Sequence, residues 1–278
     1  MFTFFKPPKS HPMVSILGIP LDVNSSFLRG AAQAPQKIRE AYRSDSANYC
    51  TESGVDLNQN LHWNDLGDLT LSSMPEAFRE IEENVFAQVD RKQHVLSLGG
   101  DHSITYPIIK AFARKYTNLN ILHLDAHGDL YDNFEGNRHS HACPFARILE
   151  EGLIKRLVQV GIRTYNPHQR EQAKRFGVEA IEMKDWKDGT TFSFDGPLYI
   201  SLDLDALDPA FVPGVSHHEP GGFSTRQVLS IIQNLQANIV GADIVELNPT
   251  RDINGMTAMV AAKFFKEILV KLLPATSV

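Results

Sequence analysis

Short apolar runs alternate with amphipathic stretches along most of this chain. Val14 to Ile19 reads as a first strand, and Ala34 to Tyr42 as a helix. Ser73 and Glu76 have capping-box spacing, and Phe78, Ile81, Val85, Phe86 and Val89 follow at helical intervals. Val95 to Leu98 is a strand that runs into Gly99-Gly100. A helix from about Thr105 to Tyr116 leads to a strand over 121–125. Leu157 to Val160 and Leu198 to Leu202 are further strands. Ser224 and Gln227 again have capping-box form and open a helix to about Ala237. A strand over Ile239 to Glu246 and a helix over Met256 to Leu273, stopped by Pro274, complete the pattern. Strand–helix alternation predicts an α/β fold, with a mostly parallel sheet covered on both faces. Ligands of such sheets bind beyond the carboxyl ends of the strands.

Composition narrows the picture. The 278 residues, 42% hydrophobic and 22% charged, suit one large core. With no Pro/Gly/Ser-rich linker or charge run, residues 1–278 read as a single domain. A net charge of −6 gives no support for nucleic-acid binding. No apolar run approaches the length of a membrane span. Met1-Phe-Thr-Phe-Phe-Lys-Pro-Pro lacks the layout of a signal peptide, and Cys50 and Cys143 have no CxxC spacing. A reducing, cytoplasmic location is expected.

The chemistry concentrates at strand ends. In Ile121-Leu-His-Leu-Asp125-Ala-His127-Gly-Asp129, two carboxylates and an imidazole are spaced two apart. Residues two apart on an extended backbone share a side, so all three can converge just past a strand. Three such groups aimed at one point call for a cation. Gly99-Gly-Asp-His102-Ser, Ser201-Leu-Asp203-Leu-Asp205-Ala-Leu-Asp208-Pro, and Glu246 in Val245-Glu-Leu-Asn-Pro249 also follow apolar runs. They therefore belong on the same sheet edge. His102, Asp125, His127, Asp129, Asp203 and Asp205 are too many ligands for one tetrahedral site. They suit two divalent ions, with Mn²⁺ favoured over a thiolate-type Zn²⁺ site. Two ions about 3.5–4 Å apart can lower the pKa of a shared water and so supply hydroxide at neutral pH.

Gly-Gly-Asp-His-Ser, Asp-Ala-His-x-Asp and Ser-x-Asp-x-Asp-x-x-Asp-Pro, in this order, resemble the ureohydrolase family of arginases and agmatinases. The resemblance extends from Gly18-Ile-Pro-Leu-Asp22 to Glu246-Leu-Asn-Pro249. Asp129 to Ala142 and Pro213 to Gly222 look most like plant-type arginases and their agmatinase-like bacterial relatives. It implies a three-layer α/β/α fold and two Mn²⁺ per chain. One ion would be held by His102, Asp125, Asp129 and Asp203, the other by Asp125, His127, Asp203 and Asp205. Hydroxide at such a centre would attack the guanidinium carbon of L-arginine or agmatine and release urea. Glu246 would hold the guanidinium, and His141 would shuttle a proton, for which a near-neutral pKa is suited. A homo-oligomer, trimer or hexamer, is also implied.

Substrate choice is expected in the loop Leu130 to Cys143. Asn137, Arg138 and Ser140 are candidate substrate contacts. Arg138 favours a carboxylate-bearing substrate, whereas Asp132 and Glu135 favour a cationic one. L-Arginine is therefore placed slightly ahead of agmatine, with guanidinobutyrate-type acids next. His123 reads as a buried hydrogen-bonded residue, Asp101 and Asp208 as supporting residues, and His217 and His218 as loop residues. Two other function classes remain open at this point. One is a single-zinc deacetylase-like hydrolase, which would not need His102 or Asp129. The other is an inactive metal-binding relative, against which the intact Glu246 and His141 argue.

Overall fold

The computed structural model describes residues 13–274. The reading of the first eight residues as something other than a signal peptide lies outside them. The strands are β1 (Val14–Gly18), β2 (Trp63–Asp68), β3 (His94–Leu98), β4 (Asn120–Leu124), β5 (Arg156–Ile162), β6 (Glu179–Glu182), β7 (Pro197–Asp203) and β8 (Asn238–Val245). They form one sheet in the order β2-β1-β3-β8-β7-β4-β5-β6, with every pairing parallel. The helices are α1 (Ala34–Tyr42), α2 (Glu76–Asp90), α3 (Thr105–Ala113), α4 (Pro144–Glu150), α5 (Pro167–Phe176), α6 (Thr225–Asn234) and α7 (Met256–Leu272).

Strand alternation divides the core in two. Leu96, Leu98, Leu122, Leu124, Leu198, Ile200 and Leu202 pack with α1, α6 and α7. Val95, Ile121 and Tyr199, of opposite parity, pack with α2, α3, α4 and α5. The α/β/α layering is thus a direct result of strands that are apolar on both faces.

Local signals fared unequally. The Ser224–Gln227 capping box forms. The Ser73–Glu76 box does not: Pro75 stands at the N-cap, and Glu80 reaches back to accept from Ser72 N–H and Oγ. Pattern reading misses β2, β6, α4 and α5. β2 and β6 are edge strands with partly exposed, mixed-polarity sequences, and α5 carries only a thin apolar stripe.

Candidate active site

The carboxyl ends of β8, β7 and β4, neighbours at the centre of the sheet with the end of β3 beside β8, open into one cavity of about 200 Å³. Its lining includes His127, Asp129, Asp203, Asp205, His141 and Glu246. The loop after β3 is clamped to the loop after β1. A Cβ on Gly100 would lie 1.9 Å from the Leu21 carbonyl oxygen, so only glycine allows this approach. The Leu21 carbonyl accepts from Asp101 N–H, and Asp101 Oδ2 accepts from Asn24 N–H (3.0 Å). Asp101 thus supports the site, as expected of it, and burial raises its pKa to about 6. Asp208 is also a supporting residue, accepting from the N–H groups of Ala210 and Gly221.

The ligand candidates converge in two groups. His102 Nδ1 lies 3.2 Å from Asp125 Oδ2, 3.1 Å from Asp129 Oδ2 and 3.1 Å from Asp203 Oδ2. His127 Nδ1 lies 3.0 Å from Asp205 Oδ2 and 3.4 Å from Asp125 Oδ1. Octahedral metal–ligand bonds of roughly 2.1 Å put neighbouring donors about 3.0 Å apart. The first group has that spacing. Its chemistry fits a cation too. Ser201 Oγ donates to Asp243 Oδ1 (2.7 Å), so it accepts from His102 Nε2 (2.9 Å). The His102 lone pair then faces three carboxylate oxygens, and this buried Nδ1 has no hydrogen-bond partner among the described residues. Only a proton or a metal ion relieves that contact.

The protonation pattern expresses the same need. Burial works against the charged rings of His102 and His127, yet the surrounding carboxylates raise both well above the usual histidine range. Burial and neighbouring carboxylates raise Asp203 well above its usual range, and raise Asp205 to about 6. Asp125 is also opposed by burial, but His123, His102 and His127 hold it well below the carboxylate range. Asp129 and Glu246 have positive φ values of 50° and 66°, a strained conformation for non-glycine residues that here aims two site carboxylates.

Glu246 Oε1 accepts from His102 N–H (2.8 Å) and meets His141 Nδ1 at 2.8 Å. Ser26, which sequence reading missed, donates its backbone N–H to His141 Nε2 (3.1 Å). Burial lowers and Glu246 more than restores the His141 pKa, to about 9, above the near-neutral value expected. The neighbouring His139 packs instead on Phe78 and Tyr106, outside the cavity lining.

The substrate-loop expectations need correction. Arg138 is exposed and paired with Glu150 (2.8 Å), outside the cavity lining. Asn137 bonds Asn24, and buried Ser140 accepts from Ala142 N–H; neither lines the cavity. The loop is turned by its own Phe134–Asn137 bridge, which faces Tyr131 and Phe134 inward instead. Thr164, Gln169 and His217 complete the wall, while His218 donates away to the Pro213 carbonyl. Their only sequence signal is position: Thr164 and His217 lie in the loops after β5 and β7, and Gln169 lies in the first turn of α5.

The arginase family model matches residues 12–271. The chain belongs to the arginase family. It is 49% identical to "Arginase 1, mitochondrial" of Arabidopsis thaliana, an alignment covering 93% of this chain and 80% of that one. It is 38% identical to the human "Guanidino acid hydrolase, mitochondrial", covering 95% and 79%. The solved arginase of Medicago truncatula superposes with a TM-score of 0.89 at 43% identity, covering 95% of this chain and 88% of that chain. This member is a hydrolase of guanidino groups. The expected cytoplasmic location is corrected by the relatives' names. Plant arginases among them are called mitochondrial or chloroplastic/mitochondrial, which points to an organelle.

Proposed function

We propose that this arginase-family enzyme releases urea from L-arginine at a centre of two Mn²⁺ ions. The observation that carries the two-ion reading is the division of Asp125: Oδ2 belongs with His102, and Oδ1 with His127. His102, Asp125, Asp129 and Asp203 would hold one ion, and Asp125, His127, Asp203 and Asp205 the other. When bound, two such ions polarise a shared water and bring its pKa toward neutrality.

The chain's own groups do the rest. Glu246 spends Oε1 on His102 N–H and His141, leaving Oε2 for the planar guanidinium, where a carboxylate bond is charge-assisted. A guanidinium on Glu246 weakens its hold on His141, and the Ser26 N–H favours the neutral ring. His141 thereby becomes able to pass a proton to the leaving amine. Among the described residues no lysine or arginine lines the cavity, so a substrate's far end meets no fixed cation there. Tyr131 OH accepts from Asn166 Nδ2 (2.6 Å) and keeps its own proton for an acceptor such as a carboxylate.

L-Arginine is supported by the higher identity to a protein named arginase than to the guanidino acid hydrolase. Agmatine and guanidino acids are the competing substrates. Urea release by Mn²⁺-loaded protein from L-arginine, agmatine and guanidinobutyrate tests the ranking. Faster turnover of either competitor would displace L-arginine, and inactivity on all three would remove the functional reading. We also propose one domain over the whole chain and a trimeric or hexameric assembly. Light scattering giving a monomer would overturn the assembly, and two separate unfolding transitions the single domain.

A further inference from the structure

Behind Asp125 lies a buried chain of side chains that makes no contact with the cavity. His123 Nε2 is 2.7 Å from Asp125 Oδ2, and Gln159 Nε2 is 3.0 Å from His123 Nδ1. Tyr165 OH donates to Gln159 Oε1. His123 and Gln159 are fully buried.

The hydrogen-bond directions in this chain are determined. Gln159 Nε2 also donates to the Gly128 carbonyl (2.7 Å), an acceptor only. That fixes which end of the amide is nitrogen. His123 Nδ1 is therefore an acceptor, and the proton of the neutral ring is on Nε2, aimed at Asp125. Phe145 lies against the His123 ring with centroids 4.0 Å apart, which restricts its rotation. Gly128 sits between His127 and Asp129, so the same amide also holds the backbone turn that carries two further ligand candidates. A Cβ on Gly128 would fall 2.1 Å from the Tyr165 ring, so the turn is pressed against the far end of the chain.

His123, Asp125 and His102 have donor atoms close enough to be taken for one metal-binding group. The hydrogen bonds decide otherwise. Both His123 nitrogens are engaged within the protein, leaving no lone pair for an ion. We infer that Tyr165, Gln159 and His123 are positioning residues that fix the rotation of the Asp125 carboxylate, so that one oxygen is presented to each half of the metal centre. Asp125 Oδ1 also accepts from His127 N–H (2.6 Å), so the His123 N–H is the bond that holds Oδ2, and without it Oδ2 loses its fixed place beside His102. The inference rests on the proposed role of Asp125 as a shared ligand.

The test is Mn²⁺ binding by calorimetry and by the electron-spin coupling of the Mn²⁺ pair, with Gln159→Leu, Gln159→Glu and His123→Phe against the parent protein. Partners that orient a ligand typically change metal affinity 10–100-fold. The expected result is about a 10–100-fold loss of affinity for at least one ion and weakened coupling in all three variants. Gln159→Glu keeps the shape but offers Nδ1 no donor, so it serves if the other two fail to fold. In ¹⁵N NMR of the metal-free parent, His123 is expected as the Nε2–H tautomer. Parental affinity and coupling in folded variants, or the Nδ1–H tautomer, would overturn the inference. A parent protein that binds fewer than two Mn²⁺ would instead remove the two-ion reading on which it rests.

Discussion

Glu246 and His141 are joined by a 2.8 Å hydrogen bond between Oε1 and Nδ1 across the cavity wall. The group proposed to grip the substrate and the group proposed to move its proton therefore occupy each other until substrate arrives. Binding and proton transfer are coupled through one carboxylate.

Replacing either partner should separate these roles. His141→Asn is expected to lower kcat by about 10²–10⁴-fold, the range of a lost general acid, with KM changed much less. Glu246→Gln should raise KM by roughly 10-fold or more, since it loses a charge-assisted bond. Steady-state urea release measures both. Equal effects on kcat and KM in both variants would merge the two roles.

The pair also sets a pH dependence of stability. In metal-free protein the His141 pKa lies above the ordinary value of 6.5, at about 9. Its protonated form is thus favoured by folding. The contribution is fully present below pH 6.5 and is lost as pH rises through about 9. Melting temperature between pH 6 and 10 should fall more steeply for the parent than for His141→Asn. Parallel curves would show that the pair adds no pH-dependent stability.

Asp125 and Asp129 should differ as ligands. Asp125→Asn is expected to weaken both ions, because each of its oxygens faces a different histidine. Asp129→Asn should weaken chiefly the ion beside His102. Metal titration of the two variants makes the comparison, and identical losses would count against a shared Asp125.

Metal must displace protons. His102, His127, Asp203 and Asp205 all have raised pKa values in the ion-free protein. Mn²⁺ affinity should therefore rise from pH 6 to 8 and binding should release protons. Calorimetry in two buffers of different ionisation enthalpy detects the release. A pH-independent affinity would contradict the protonation pattern.

Much of this site was legible because the ligand candidates follow apolar strands, with Asp125, His127 and Asp129, and again Asp203 and Asp205, spaced two apart. Parity alone brings Asp125 and Asp203 to the sheet edge, and the strand ends bring His102 and Glu246 beside them. The loop after β4 was not legible in the same way. Arg138 looked like a carboxylate reader by charge, but the register of the Phe134–Asn137 bridge sends it toward Glu150. Charge has no periodicity in a loop, so sequence does not say which side it faces. Ser26 was invisible for another reason: it acts on His141 through its backbone N–H as well as its hydroxyl. Gln159 was hidden inside a strand where a lone amide resembles an ordinary interruption of an apolar run.

The strand order has a consequence for how the protein comes into being. β3 and β4 are made early, yet β8 and β7 separate them in the finished sheet. Glu246 must reach back 144 residues to meet the His102 N–H. A nascent chain carries four of the six ligand candidates once the loop after β4 is made, gains Asp203 and Asp205 with β7, which pairs β4 directly, and brings His102 beside them only when β8 is inserted between β7 and β3. A truncated product lacking β8 would keep the ligand candidates after β4 and β7 side by side but leave β3, and with it His102, without the strand that joins it to them.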